Sequence, residues 1–307
     1  MKILVYGAGV LGSLYAAKLY EAGEEVYLLA RGKRLEDIRH YGVIIDHFLQ
    51  KNRTEHKIPT IEQLKPEDYY DLIIVLMRKN QVASILPILS QNKLFKTVIF
   101  MGNNGKGAGD YIEAVGEERV LLGFPAAGGR REGSAIKVVY REDTKITLGE
   151  LDGSFSPRLK ELKEMFEKAE IPVDISPNID SWLKYHIALV SPLANGIYLA
   201  NGDNYALAKN PEALKLIVNA IREGFKVLIS LNYPIEPKRL KRFNWMPNFV
   251  LVRLLKKIIG SEMGELSLRD HAMAAKDEMK EIADEFQLLI QQSGLVTPSI
   301  SELYQYI

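Results

Sequence analysis

Three glycines near the start of the chain, Gly7, Gly9 and Gly12, carry the spacing G-x-G-x-x-G. They directly follow the apolar run Lys2-Ile3-Leu4-Val5-Tyr6 and open a helical pattern. A strand, a glycine turn and a helix in that order can hold a pyrophosphate. Gly7 permits the tight turn, Gly9 lets a phosphate approach the backbone, and Gly12 lets helix and strand pack closely. The free N–H groups at the helix start and the positive end of its dipole favour an anion there. The whole segment Gly7-Ala8-Gly9-Val10-Leu11-Gly12 is therefore expected to line a dinucleotide.

The second apolar run, Glu25 to Ala30, ends in Arg31, with Lys33 and Arg34 close behind. A carboxylate at this point would bond the ribose hydroxyls of NAD and repel a 2′-phosphate. A guanidinium meets that phosphate with two parallel hydrogen bonds. Arg31 thus predicts NADP(H); the alternative is a solvated basic loop.

Carbonyl reduction beside such a cofactor needs a donor for the developing alkoxide and groups that hold the substrate. In an open α/β sheet these follow the carboxyl ends of strands. Met77-Arg78-Lys79-Asn80-Gln81 follows one strand, and Met101-Gly102-Asn103-Asn104-Gly105-Lys106-Gly107 another. Asn104 is either a plain turn residue or a ligand of nicotinamide or substrate. Lys184 sits among Ile187, Ala188, Leu189 and Val190. It is either a snorkelling lysine at a helix start or a proton donor that polarises a carbonyl. His47 and His56 flank a hairpin and are expected at the surface. His186 and His271 lie in candidate site segments, and packing or solvation accounts for each. The run Arg269 to Glu285 reads mostly as a solvated helix face.

The elements that must position these groups can be read from the same 307 residues. Strand and helix alternate through the first half: Asp71 to Leu76, Thr97 to Phe100, Val120 to Leu122 and Pro172 to Ile175 are strand runs. Gln81 to Leu89 and Pro157 to Glu170 are helical, and Gly42 to Thr60 is a hairpin. Ala135 to Tyr140 and Lys145 to Leu148 are expected to pair with each other as an antiparallel edge. Beyond Ser176-Pro177-Asn178 only helices are expected. One starts at Trp182 behind an Asp180 or Ser181 cap, one follows Asn210-Pro211, and one spans Pro247 to Ile259. A long helix from Leu266 to Ser293 stops at Gly294, and Thr297-Pro298 opens the last. The fold class is therefore α/β, with a Rossmann-type doubly wound domain over residues 1–176 and an all-α domain over 177–307.

Composition removes several functions. Net charge is +1, so nothing draws the chain broadly to nucleic acid or an anionic membrane. Without cysteine there are no disulfides, thiolate nucleophiles or cysteine metal sites. The histidines show no metal spacing, and no metal is expected. The longest apolar stretch, Ile187 to Ala200, is too short and too polar to span a bilayer. With a strand beginning at Lys2 and no signal peptide, the expected location is the cytoplasm. Apolar surface on the helical half suggests a homodimer.

Taken together the residues resemble the ketopantoate reductase family over nearly the whole chain. The resemblance rests on Gly7-x-Gly9-x-x-Gly12, Arg31, Arg78 three before Gln81 (where the family has lysine) and Asn104-Gly105. It continues with Gly123, Arg130-Arg131-Glu132-Gly133, and Lys184 ahead of Pro192-Leu193. It implies NADPH-dependent reduction of a 2-oxo acid to a 2-hydroxy acid, ketopantoate to pantoate in the founding members. Under it Arg31 holds the 2′-phosphate, Arg78 lies near the cofactor, Asn104 contacts nicotinamide or substrate, and Lys184 is the general acid. Departures cluster at the substrate. The family's asparagines four and eight residues after the lysine become Ala188 and Pro192, with Ser191 a substitute if the helix slips by one. The substrate serine becomes Ala272, beside His271. The helix carboxylate falls nearest Asp284, with Glu278, Glu281 and Glu285 as rivals. A ketopantoate-type reductase, a reductase of a more apolar carbonyl compound, and a non-catalytic NADP-binding sensor are the readings left open.

Overall fold

The computed structural model describes residues 1–307 and divides them into two units. The first comprises Met1–Gly102 and Gly107–Ile179; the second comprises Asp180–Ile307 together with the tetrapeptide Asn103–Lys106.

The first unit holds twelve strands: β1 (Lys2–Tyr6), β2 (Glu25–Leu29), β3 (Val43–His47), β4 (Asn52–His56), β5 (Thr60–Ile61), β6 (Leu72–Val75), β7 (Thr97–Met101), β8 (Val120–Phe124), β9 (Gly128–Glu132), β10 (Ala135–Val139), β11 (Ile146–Gly149) and β12 (Val173–Ile175). Eight of them form one sheet in the order β12-β11-β8-β7-β6-β1-β2-β5. From β5 to β8 all neighbours are parallel, while β11 runs antiparallel to β8. The buried runs LIIV in β6 and TVIFM in β7 are apolar on both faces, as central parallel strands require. The chain order reverses between β1 and β6, so the crevice outside the carboxyl end of β1 is where a ligand of such a sheet sits.

A second sheet of four strands, β4-β3-β10-β9, was not foreseen. The expected pairing of Ala135–Tyr140 with Lys145–Leu148 does not occur. β10 instead pairs in parallel with β3 (Ile136 opposite Ile45) and antiparallel with β9, while β11 joins β8 and β12. Alternation in β10 marked a half-buried strand correctly but carried no information about its partner. The residues opposite β10 lie ninety positions upstream, in a hairpin that looked self-sufficient.

The second unit is helical, as expected, around an apolar core that includes Tyr185, Phe225 and Ile221. Tyr185 and Phe225 meet edge to face at 5.0 Å. Its first helix runs Ile179–Leu199 with Pro192 inside it, so Asp180 and Ser181 occupy the first turn rather than capping it. Pro192 has no N–H to give the Ala188 carbonyl. Asn210 caps the Pro211–Ser230 helix through a 3.0 Å bond from the Ala213 N–H. The expected continuous helix from Leu266 is broken. A π-helical turn spans Glu265–Arg269, Ala275 leaves helical geometry (φ −126°, ψ 38°), and the regular helix is Lys276–Ser293, closed by Gly294 at φ +65°. Nothing in the apolar spacing signals this break. No helix is long and apolar enough to cross a membrane.

Candidate active site

The glycine turn is built from backbone. Gly7 takes φ +117°, and a Cβ there would stand 2.5 Å from the Leu76 carbonyl oxygen, just past β6. A Cβ on Gly12 would fall 1.7 Å from the Gly7 carbonyl oxygen. These two glycines are therefore demanded by packing. Gly9 is different: a Cβ there meets nothing within 4 Å. The turn thus leaves open space at its middle glycine, where the Val10–Glu21 helix begins with no side-chain cap and no acidic residue in its first turn. Exposed N–H donors beside a cradle that a side chain would fill match the needs of a pyrophosphate.

Arg31 is exposed, and its Nη2 donates to the Tyr6 hydroxyl at 2.9 Å, at the end of β1. Burial raises the Tyr6 pKa, and the neighbouring guanidinium only partly offsets that. Arg34, read as part of the same basic loop, is buried. Its Nε donates to the Ala8 carbonyl (3.0 Å), its Nη1 to the Ser134 carbonyl (2.6 Å) and its Nη2 to the Ser13 hydroxyl (3.0 Å). All three nitrogens are engaged, tying the glycine turn to its own helix and to the β9–β10 turn, so this arginine is a clamp and not a solvated cation.

Arg78 is exposed at the N-cap of the Lys79–Val82 helix, after β6. Its neighbour Lys79, passed over in the sequence, is the buried cation. The Lys79 ammonium lies 3.3 Å from the Tyr111 hydroxyl and 5.3 Å from that ring's centre, while Tyr111 stacks on Phe100 of β7 at 3.9 Å. His47 and His56 are not simply at the surface. They face a polar hollow with Lys18 and Glu21, His47 bonded to Thr54 at 3.0 Å and His56 3.7 Å from Glu21.

In the second unit the Asn103–Lys106 segment is pinned by two carboxylates of the Lys276–Ser293 helix. Asn103 Nδ2 donates to Glu278 at 3.0 Å. The Gly105 and Lys106 N–H groups both donate to Glu285 Oε2, at 2.7 and 3.2 Å. Glu278 and Glu285, seven residues apart, share one helix face, and both are buried. So is Asn104. The run expected to be mostly a solvated face therefore buries three of its acids, Asp270, Glu278 and Glu285. Asp284, the carboxylate favoured from the sequence, lies elsewhere. It pairs with Lys280 and Tyr304 and is half exposed. Burial would raise its pKa, but the bonds from Lys280 and Tyr304 outweigh that and hold it low. Spacing could not have distinguished them, since Asp277 and Asp284 are also seven residues apart.

Lys184 is buried, with 3% of its side chain exposed, and forms an ion pair with Asp180 one turn back. Its ammonium also lies 4.8 Å from the centre of the Tyr233 ring. A buried lysine held by one carboxylate and one π face is not a snorkelling side chain. His186 stacks on Trp182 at 5.4 Å, and burial, then the charge of His271, pushes its pKa down to about 4. It is a neutral packing residue. His271 is exposed, 3.9 Å from Glu278. Ala188 and Ala272 are buried in the helical core. No group of three or more histidine, aspartate or glutamate side chains is placed to hold a metal.

A parallel sheet of this order, a glycine turn after its first strand and a helical unit with a buried lysine define a two-unit Rossmann-type protein. Residues 3–153 match the family model for ketopantoate reductase PanE/ApbA. Through that half the chain belongs to the ketopantoate reductase family, as a divergent member, and is an oxidoreductase. It is 27% identical over 247 residues to 2-dehydropantoate 2-reductase of Pyrococcus horikoshii, covering 78% of each chain. Among solved structures, D-mandelate dehydrogenase with NADH and anilino(oxo)acetate superposes with a TM-score of 0.82 at 19% identity, covering 100% of this chain and 96% of that one. A 2-dehydropantoate 2-reductase from Geobacter metallireducens superposes with a TM-score of 0.82 at 16% identity, covering 100% and 98%. These two similarities bear on the fold.

Proposed function

We propose that the protein reduces a 2-oxo acid to a 2-hydroxy acid with NADPH. The observation that carries this reading is the buried Lys184 ammonium, an ordered proton donor in the unit that also carries the Asn103–Lys106 segment. The Gly7–Gly12 turn would hold the pyrophosphate through backbone N–H groups, including those of Ala8, Val10 and Leu11. Arg31 would hold the 2′-phosphate, with Arg78 beside the cofactor. When bound, the nicotinamide supplies the hydride. Lys184 stabilises the oxygen of the carbonyl and gives it a proton, and Asp180 keeps the ammonium in place. Asn104 orients the reactants. Glu278 and Glu285 act on the segment that carries it, so their role is positioning, and Asp284 serves the fold rather than the chemistry. Ser191 and His271 would lie along the substrate's path.

The solved D-mandelate dehydrogenase carries NADH, which makes the coenzyme the sharpest point to test. Oxidation of NADPH and of NADH would be followed with pyruvate, ketopantoate and phenylglyoxylate. The expected result is turnover of at least one oxo acid, with NADPH preferred. Tight NADPH binding with no turnover of any oxo acid would instead leave the sensor reading. A homodimer formed through the helical unit is part of the same proposal, and light scattering tests it.

A further inference from the structure

The segment from Pro237 to Ser261 stands apart in charge and in exposure. It holds seven lysines and arginines and no acid. All seven side chains are exposed, while Glu236, just before them, is buried. Net charge is +1 for the chain and +7 for this segment, which leaves −6 for everything else. A solvated face ordinarily mixes both signs. Seven like charges on one stretch repel each other, and an anionic partner removes that cost.

Large apolar side chains are exposed among these cations. Trp245 and Phe249 are 71% and 75% exposed, more than any other aromatic residue of the chain, and Leu254 and Ile258 are half exposed. The backbone beneath them is fixed. The Lys241–Trp245 and Asn248–Ile259 helices meet at Met246-Pro247. From the Pro211–Ser230 helix, Arg222 Nη2 donates to the Phe243 carbonyl at 3.3 Å and to the Met246 carbonyl, and its Nη1 donates to the Asn248 side chain. Phe243 packs on Phe225 at 5.7 Å. In the Asn248–Ile259 helix Leu251, Leu255 and Ile259 are the buried row. Phe249, Arg253 and Lys257 follow an outer row at i, i+4 spacing, and Leu254 and Ile258 follow a row on its flank.

Exposed cations interleaved with tryptophan, phenylalanine and leucine are the two components of a bilayer interface. Headgroup phosphates take the cations, and the apolar side chains enter the boundary with the acyl chains. Tryptophan favours that depth. A nucleic acid would take the cations but leave Leu254 and Ile258 in water. A second copy related by a two-fold axis would set the same seven charges against each other.

We propose that this face docks the protein reversibly on an anionic lipid bilayer. The proposal does not depend on the reductase reading, and a homodimer would use another face of the helical unit. The whole-chain charge conceals the patch because it averages seven cations against an acidic remainder.

Co-sedimentation of the full chain with extruded vesicles tests it. At about 0.1 M salt the protein should pellet with an equal mixture of phosphatidylcholine and phosphatidylglycerol and stay in solution with phosphatidylcholine alone; about 1 M salt should release it. Tryptophan emission should shift to the blue on the mixed vesicles. In Trp245→Phe, where only Trp182 remains, the shift should vanish while pelleting persists. Arg253→Gln, Lys256→Gln and Lys257→Gln together should lower the vesicle partition coefficient about 100-fold, about fivefold per cation, with the melting temperature kept. No pelleting with the mixed vesicles overturns the proposal. So does equal pelleting of wild type and triple variant, or a blue shift that survives in Trp245→Phe. Tighter retention by poly(U) than by the mixed vesicles makes the face a nucleic-acid surface, and a dimer in light scattering that Phe249→Ser dissociates assigns it to a second copy. Either result overturns the lipid assignment.

Discussion

The glycine turn of the first unit and the lysine-bearing helix of the second are built on different principles. The turn works through main-chain atoms: two glycines are fixed by carbonyl oxygens at 1.7 and 2.5 Å from any added Cβ, and the third faces open space. The helix works through side chains, and several of these have changed. On the resemblance, Ala188 and Pro192 stand where the family has amides, while buried Glu285 holds the adjoining segment by its backbone and buried Glu278 holds it by the Asn103 side chain. A site made of backbone tolerates drift everywhere except at its glycines. A site made of side chains can be refitted one residue at a time while the fold persists.

The largest expected effect lies on the side-chain half. Lys184→Ala should lower kcat by about two to four orders of magnitude, the usual share of a general acid, with coenzyme affinity kept. Turnover like the wild type would break the contrast at once. On the backbone half the glycines should separate. Gly12→Ala drives a Cβ into the Gly7 carbonyl and should destabilise by about 3 kcal/mol or more. Gly9→Ala should leave the melting temperature nearly unchanged yet weaken NADPH binding at least tenfold. If both variants melt alike, Gly9 is not a ligand glycine.

Arg31→Ala should raise the NADPH Kd about 10- to 100-fold, the worth of charged hydrogen bonds, and leave NADH binding alone. Equal losses for both coenzymes would remove the 2′-phosphate contact. The two late-helix acids sharpen the picture further. Glu285→Gln should raise KM severalfold by loosening the segment with Asn104, whereas Asp284→Asn should cost stability and leave KM unchanged. The smallest effect concerns pH. His186 is neutral in the fold, with a pKa near 4 against 6.5 when unfolded. Between those values the unfolded chain takes up a proton that the folded one refuses, so stability falls as pH drops through that window. The loss is about 1–3 kcal/mol, and thermal melts of His186→Phe should show it flattened.

The two halves also differed in how much their residues disclosed. A glycine turn is local: strand, turn and helix lie within about twenty residues, and the spacing encodes their geometry directly. The parallel strands were legible because burial on both faces gives continuous apolar runs. The β3–β10 pairing was not, since the partner of a strand is chosen by tertiary packing rather than by its own pattern. Nor was the choice among Asp284, Glu278 and Glu285. One residue along a helix is a rotation of 100°, and the break at Ala275 shifted the phase. Arg34 and Lys79 were passed over for a simpler reason. Charge reads as solvated until the carbonyls or rings that receive it are known, and those lie as far away as Ser134 and Tyr111.

The small sheet has a consequence for biosynthesis. The Val43–His56 hairpin leaves the ribosome about eighty residues ahead of Ala135, the first residue of the strand that completes it. At ordinary elongation rates this is a wait of roughly 4–16 s. During that time the free edge of Val43–His47 is open to pairing with another nascent chain. Charged residues on the outer strand of the hairpin, Arg53 and Glu55, leave Val43–His47 as the vulnerable edge. Synonymous slowing of translation between positions 57 and 134 should therefore lower the soluble yield of this protein without altering its sequence.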